Sequence, residues 1–478
     1  MAQGQGQQSN PDGPNPRIPL VAVPTNRGSS TSFDSKLINA YIEKEADGEI
    51  WVVKRPGLVI LSSGAVGAGH GVCNWLGDLY QVVVGVVYKN GVALTGYVDS
   101  TNGVYTFGAT LGGTPSLFLQ NGVTMYYYNT TVGLTAVPSP PTFSPNKLVK
   151  GSAFLNSVMY VMDTGANIWG SDVDDLTTWN PFNLIKAQIE PDAGVCMAKQ
   201  LVYVIALKQW SIEVFYDASN ATGSGLTPIS ALAPVQGSKI NYGCRHADTV
   251  QDMDGALYWV SATRAGSVGV MKMESLSATV ISTPPIERIL QSVDYSVVYS
   301  WVAKQDGHKF YGLSFPNSGV TLVFDDKMQE WYQWADPTAA YLSIVSSTFN
   351  SAQQVVLQDA SDGNLYTLSN TAYGDAGTPF AVEVYTPNWD GGTKQGKTVN
   401  KLYVIGDQTV GSLVTVRTND RDYNPQAWSN PVTVDLGLEA PYIDNMGTFK
   451  RRAHHVRHLA NTPLRLKALE AHILVGSL

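Results

Sequence analysis

The sequence has little of what staples a fold or spans a membrane. Three of its 478 residues are cysteine, Cys73, Cys196 and Cys244. The count is odd, no Cys-x-x-Cys occurs and the three lie far apart. This argues against a disulfide scaffold or a zinc site and for buried reduced thiols, hence assembly in a reducing cytoplasm. No run of 18 apolar residues is present, so no helical span is expected. The motifs of a nucleophile elbow, a phosphate-binding Gly-Lys-Ser/Thr loop and a His-Glu-x-x-His metal site are all missing. No catalytic residue, cofactor or bound metal is expected. Charged residues make up only 15% and the net charge is −8. A general nucleic-acid coat needs a basic surface, but an acidic lumen would let DNA slide past. Helical periodicity is scarce. Its best instance is Pro285–Val293, with positions 286, 289, 290 and 293 on one face. Thr283 is a cap residue there, but Ile286 stands where a capping box needs Glu or Gln.

What is present is turn and strand. Glycine (45) and tyrosine (24) are abundant and hydrophobic residues reach 44%, as suits many short strands joined by tight turns. From about residue 60 to 375 a polar turn, often with Gly or Asn, repeatedly leads into an apolar strand bearing Tyr. The tyrosines are Tyr80, Tyr126, Tyr160, Tyr203, Tyr258, Tyr311 and Tyr366. From Tyr80 to Tyr366 is 286 residues in six intervals, about 48 each, near the ~40–50 residues of a four-stranded propeller blade. One such sheet cannot bury both faces alone, whereas blades stacked about an axis can. A propeller of six or seven blades over 58–375 is expected, the alternative being a pair of long β-sandwiches. The stretch Leu155–Tyr216 would be one blade passing into the next.

The flanks read differently. Residues 1–16 are Gln/Gly/Asn/Pro-rich with no apolar core, and are expected to be a disordered arm rather than a signal peptide. Ile18-Pro19-Leu20-Val21-Ala22-Val23-Pro24 is held extended by its prolines. Beyond Gly374 five or so strands follow, most with period-two alternation. Residues 17–57 and 376–478 are therefore expected to form an additional β-sandwich platform, completing an all-β protein.

Several clusters invite chemistry. Asp163, Asp172, Asp174 and Asp175 lack the glycine and final glutamate of a calcium loop and are expected to be solvated turn residues. Ser171–Trp179 resembles the aspartate box of propeller sialidases without its glycine. Cys244 and His246 could share a strand face, with no third group to orient them. Lys450, Arg451, Arg452, Arg457, Arg465 and Lys467 form the one dense cationic stretch, with no acid between 450 and 467. On a chain otherwise more acidic than its total, such a patch suits attachment to a carboxylate-rich partner or to DNA phosphates. The alternative is basic side chains alternating to solvent or pairing with acids of a neighbouring subunit.

Glu190-Pro191-Asp192-Ala193-Gly194, a strand, and then Ser211-Ile212-Glu213-Val214-Phe215-Tyr216 is similar to the central region of the packaged-DNA stabilisation proteins. These are the tail hub, or nozzle, proteins of short-tailed bacteriophages. The similarity continues in Gln236-Gly237-Ser238-Lys239-Ile240, Asp252–Tyr258 and Thr283–Leu290. It also covers an Asn39-x-Tyr41 element followed by Lys54-Arg55-Pro56-Gly57-Leu58. The order of the pieces carries the resemblance. It implies a structural protein of the virion tail: six copies in a ring below the portal-side adaptor, continuing the DNA channel and retaining packaged DNA. The implied partners are other copies of the chain, the head-to-tail adaptor, a tail needle or distal tail proteins, a tailspike or tail fibre, and double-stranded DNA in transit. The C-terminal platform would lie nearest the portal, which makes the basic stretch a candidate partner interface. The rival class is a propeller glycan-binding protein or glycosidase acting on the host surface. Only Arg245, Arg264 and Arg288 lie between 60 and 375 to build a sialidase-type arginine cluster.

Overall fold

The computed structural model describes residues 16–21, 35–223 and 229–476. The arm expected over 1–16, except Pro16, and residues 22–24 of the extended segment lie outside them. The chain forms two compact units. One holds residues 60–319 and 343–367, the other residues 1–59, 320–342 and 368–478.

The first unit is a propeller. Blade 1 comprises Gly69–Trp75, Asp78–Val83, Val86–Lys89 and Val92–Ala93, and blade 2 comprises Thr106–Ala109, Leu117–Gln120, Met125–Asn129 and Gly133–Ala136. Blade 3 is Ala153–Leu155, Val158–Met162, Asn167–Asp172 and Asp175–Lys186. Blade 4 is Gly194–Gln200, Tyr203–Lys208, Ile212–Asp217 and Leu232–Pro234. Blade 5 is Gln251–Met253, Ala256–Ala262, Val268–Glu274 and Ser277–Val280. The hairpin Tyr299–Gln305/His308–Phe315 takes the sixth position, and Ile344–Phe349, Val355–Asp359 and the strand starting at Leu365 take the seventh. First strands touch in order, blades 1 to 2, 2 to 3, 3 to 4, 5 to 6 and 6 to 7, and the seventh meets the first. With blade 4 packed on blade 5 through Leu207, Val214, Trp259 and Met271, the ring is closed with seven positions.

The core is divided into layers between neighbouring blades, because each sheet must cover both faces. Trp75, Tyr80 and Val82 meet Leu117 and Leu119 between blades 1 and 2. Tyr160, Met162 and Ile168 meet Val204, Ala206 and Phe215 between blades 3 and 4. Leu207 and Val214 meet Trp259 and Met271 between blades 4 and 5, and Val72 meets Val356 and Leu365 where the ring closes. Each fully buried side chain of this kind contributes about 1.5–3 kcal/mol. The recurring tyrosines mark the blades. Tyr80, Tyr160, Tyr203, Tyr258 and Tyr311 stand on the second strand of their blades, whereas Tyr126 and Tyr366 stand on the third. That shift makes their spacing uneven. The single α-helix among the described residues is Pro284–Ser292, and its N-cap Thr283 makes no side-chain capping bond.

The second unit holds two larger sheets that interleave the ends of the chain. In one, Ala40–Lys44, Ile50–Lys54, Arg465–Val475, Lys397–Gly406 and Tyr442–Phe449 lie in that order, with Arg17–Ile18 added to Arg465–Val475. In the other the order is Val320–Asp325, Glu330–Gln333, Lys36–Ile38, Val382–Tyr385, Ala453–His458, Leu413–Asn419 and Val432–Asp435.

Candidate functional site

The cationic stretch lies in the second unit and is mostly committed to bonds within the chain. Arg452 is 3% exposed. Its guanidinium is bidentate to Asp420, at 2.7 and 2.8 Å, and donates to the Met446 carbonyl at 2.6 Å. It also lies 4.4 Å from the centre of the Phe449 ring. Arg451 pairs with Asp422 at 2.5 Å and Arg457 with Glu383 at 3.4 Å. Arg465 reaches Glu45, Asp407 and Glu43 at 3.1, 3.4 and 3.7 Å, and Lys467 pairs with Glu49. Lys450 is exposed. In the strand Ala453–His458 only Arg457 is exposed, and Ala453, His454, His455, Val456 and His458 are all buried. Desolvation by burial lowers the His454 and His458 imidazoles to about 3, helped by Arg452 and Lys54 respectively. Both ring nitrogens of His454 are buried without a hydrogen-bond partner.

Several of the pieces that carry the family resemblance contribute to two buried ionic nodes. In the propeller Lys208 is fully buried. Its ammonium pairs with Asp192 at 3.0 Å and Glu213 at 2.6 Å, and donates to the Glu190 carbonyl at 2.8 Å. Asp192 also accepts the backbone N–H groups of Trp210 and Ser211 at 2.7 and 2.9 Å, and Glu213 accepts that of Ile189 at 2.9 Å. The loop before blade 4 is thus bolted to the blade's second and third strands. Against the cost of burial, the Trp210 N–H, Lys208 and Ser211 hold the Asp192 carboxyl below its ordinary range. Further out, the Glu190 carboxylate binds Lys239 and, at 2.7 Å, Arg264. In the second unit Arg55, 1% exposed, is bidentate to Asp375 at 2.9 and 2.6 Å. It donates to Asn39 Oδ1 and the Ala335 carbonyl, each at 2.9 Å, and stacks 3.7 Å from the centre of the Phe380 ring. Asn39 and Arg55 belong to the sequence pieces singled out above. Lys208 and Asp375 carried no signal in the sequence, since a lone Lys at a strand end and a lone Asp in a turn look ordinary.

The other candidates resolve into structural roles. Asp163 departs from the expectation of a solvated turn residue. It is fully buried, because the turn supplies neutral donors to both oxygens. These are the N–H groups of Gly165 and Asn167, the Asn167 amide and the Trp169 indole, at 2.8–3.2 Å. Asp175 accepts from Thr177, and the Trp179 indole donates to the Leu176 carbonyl at 3.0 Å, so the aspartate-box-like stretch is the self-bonded hairpin between the third and fourth strands of blade 3. The Cys244 thiol donates to the His246 carbonyl at 3.3 Å, while His246 Nδ1 accepts the Asp248 N–H. All three cysteines are free, and burial raises the Cys244 thiol to about 12. Among the described residues no group of His, Cys, Asp and Glu is disposed to hold a metal ion.

The charged motifs of the sequence are thus spent largely on internal nodes. The family described as bacteriophage P22 Gp10, beta-propeller, matches residues 34–373, and the chain belongs to it. It is thereby a bacteriophage structural protein. No curated protein matches the sequence. Among solved structures, similarity extends to a streptogramin B lyase, at 10% identity and TM-score 0.36, covering 67% of this chain and 97% of that one. It also extends to the WD40 repeats of RRP9, at 9% identity and TM-score 0.40, covering 66% and 99%. A third is the extracellular domain of a putative hybrid two-component system of B. thetaiotaomicron, at 10% identity and TM-score 0.44, covering 94% and 62%.

Proposed function

We propose that the protein is the tail hub, or nozzle, subunit of a short-tailed phage. Copies of it, six by the family resemblance, form a ring below the portal-side adaptor, continue the DNA channel and retain packaged DNA. Its role is mechanical and steric rather than enzymatic. Its other contacts are a tail needle or distal tail proteins and a tailspike or fibre. The observation that carries this reading is the family match over residues 34–373. The structure is compatible with it, because the motif residues stiffen each unit instead of converging on a reactive group. Counting copies in isolated tails by native mass spectrometry tests it. Six per virion is the expected result; two or three, or several dozen, would remove the hub assignment. Within this reading the adaptor contact falls to the exposed members of the cationic stretch, Lys450, Arg451 and Arg457, with Arg452 holding the segment from within; Arg465 and Lys467, toward the other end of the strand Lys397–Gly406 from Phe449, would be a separate part of that surface.

A further inference from the structure

Asn-Gly occurs three times in the sequence, each time followed by valine: Asn90-Gly91, Asn102-Gly103 and Asn121-Gly122. This dipeptide is prone to cyclise, because a glycine leaves its own nitrogen unhindered beside the asparagine amide. The fold holds the three very differently. Asn121 is 2% exposed. Its oxygen accepts the N–H groups of Val123 and Thr124 at 3.0 and 2.9 Å, and the Gly122 N–H donates to Gln120 Oε1 at 2.7 Å. Electrophile and nucleophile are both tied. Asn90 is exposed but clamped to the second strand of blade 1. Its oxygen accepts the Leu79 N–H at 2.9 Å and its amide donates to Asp78 at 2.7 Å. Asn102 lies in the loop joining blades 1 and 2, and both it and Gly103 are exposed. Its amide reaches only Thr101 Oγ1, at 3.0 Å, and Asp99, both in the same loop. Among the described residues its oxygen accepts no hydrogen bond and the Gly103 N–H donates none.

We propose that Asn102 is a self-modification site, converting with time to aspartate and isoaspartate in the folded chain. The Gly103 nitrogen loses its proton and attacks Asn102 Cγ. The new N–Cγ bond closes a succinimide ring, and the Cγ–Nδ2 bond breaks to release ammonia. Water then opens the ring at either carbonyl. One opening leaves aspartate; the other leaves isoaspartate, whose main chain runs through Cβ and Cγ. Because the partners of Asn102 belong to its own loop, its side chain swings toward Gly103 without dismantling a strand. The position makes the product consequential. The Thr101 hydroxyl and N–H, followed by the Asn102 amide, hold the Asp99 carboxyl down to about 2. A carboxylate at position 102 removes that amide and sets a like charge beside Asp99. Isoaspartate also lengthens the backbone before Gly103 by one carbon. Gly103 lies against Lys150, whose Nζ is 3.6 Å from where a Cβ would stand, and its carbonyl accepts from the His70 ring. Lys150 in turn pairs with Asp248 at 2.5 Å. His70 stands on the first strand of blade 1, Lys150 precedes blade 3 and Asp248 precedes blade 5. A lengthened loop therefore loosens a point where several blades meet.

The test incubates the full chain in mildly alkaline buffer, folded and in urea, and follows each site by peptide mapping and mass spectrometry. In urea the three sites, alike in sequence, should deamidate at similar rates. In the folded chain Asn102 should convert about tenfold faster than Asn90 or Asn121, because each hydrogen bond that must break first lowers the reactive population severalfold. Its rate should rise with pH, since the nucleophile is a deprotonated nitrogen. Isoaspartate is scored by methylation of the aged protein with an isoaspartyl methyltransferase. Asn102→Gln should fold as the wild type does and abolish that signal, because the larger ring closes far more slowly. The aged wild type should lose about 2 °C or more in Tm while aged Asn102→Gln does not. Equal folded-state rates at Asn90 and Asn102 overturn the proposal. So does an Asn102 that stays intact in the folded chain while the urea control deamidates. An aged wild type that carries isoaspartate at position 102 yet keeps the Tm of fresh protein overturns the link from this loop to Lys150.

Discussion

At the scale of single residues, buried charge decides most of what a substitution does here. Lys208→Met would leave the Asp192 and Glu213 carboxylates buried without their cation. Breaking such a node from one side costs about 3–5 kcal/mol, and chemical denaturation should show a loss of that order. Arg451 and Arg452 are adjacent yet should behave oppositely. Arg452→Met strands Asp420 and the Met446 carbonyl and should destabilise the second unit. Arg451→Glu, at a half-exposed pair, should change stability by less than about 1 kcal/mol. The histidines give a pH signature. His454 and His458 are held neutral in the folded chain, their ionisation lowered to about 3 by burial. An unfolded histidine takes its proton near 6.5. Between these values the unfolded state binds more protons, so stability is complete above about pH 6.5 and falls as pH drops toward 3. At pH 5 the loss should be about 2 kcal/mol per histidine. Since neither His454 nitrogen is hydrogen-bonded, His454→Leu should keep the fold and flatten part of the slope in a pH series of denaturation curves.

At the scale of elements, the seams between blades are close enough to need glycine. Gly151, just before the first strand of blade 3, packs on the first strand of blade 4, with φ +90° and the Met197 carbonyl only 1.8 Å from where a Cβ would stand. Its neighbour Lys150 bridges Cys196, and the Met197 N–H donates to the Lys150 carbonyl at 2.9 Å. Gly151→Ala meets both the backbone conformation and the contact, and should cost at least about 2 kcal/mol. A thermal scan should show the loss. The node around Lys208 works at the same scale: it fixes the loop entering blade 4 to that blade's second and third strands.

At the scale of the whole molecule, the net charge of −8 means that like surfaces repel and attachment must be local. Rim charges chiefly set encounter rate and orientation. Arg451→Glu combined with Arg457→Glu should therefore leave the fold intact and weaken capture by adaptor-bearing heads, most at low salt, where screening is least. A pull-down on such heads across a salt series checks it. Equal binding of the double variant at low salt would move the attachment surface elsewhere.

The sequence by itself determined the all-β architecture, the blade repeat and the single short helix, because turn chemistry, strand alternation and the recurring tyrosines are local and act through neighbours in the chain. It also carried the family, through the order of pieces such as Glu190-Pro191-Asp192 and Ser211-Ile212-Glu213. Only the tertiary structure decided what those pieces do. Lys208 brings together carboxylates from both, and Arg55 finds Asp375 from 320 residues away, a pairing no local pattern encodes. The same reason governs the cationic stretch. Written out, it is a run of like charges; folded, Arg452 lies under Asp420 and Phe449 while Arg457 faces solvent. Whether a charge is buried depends on where its counter-charge is delivered, and distant strands deliver it.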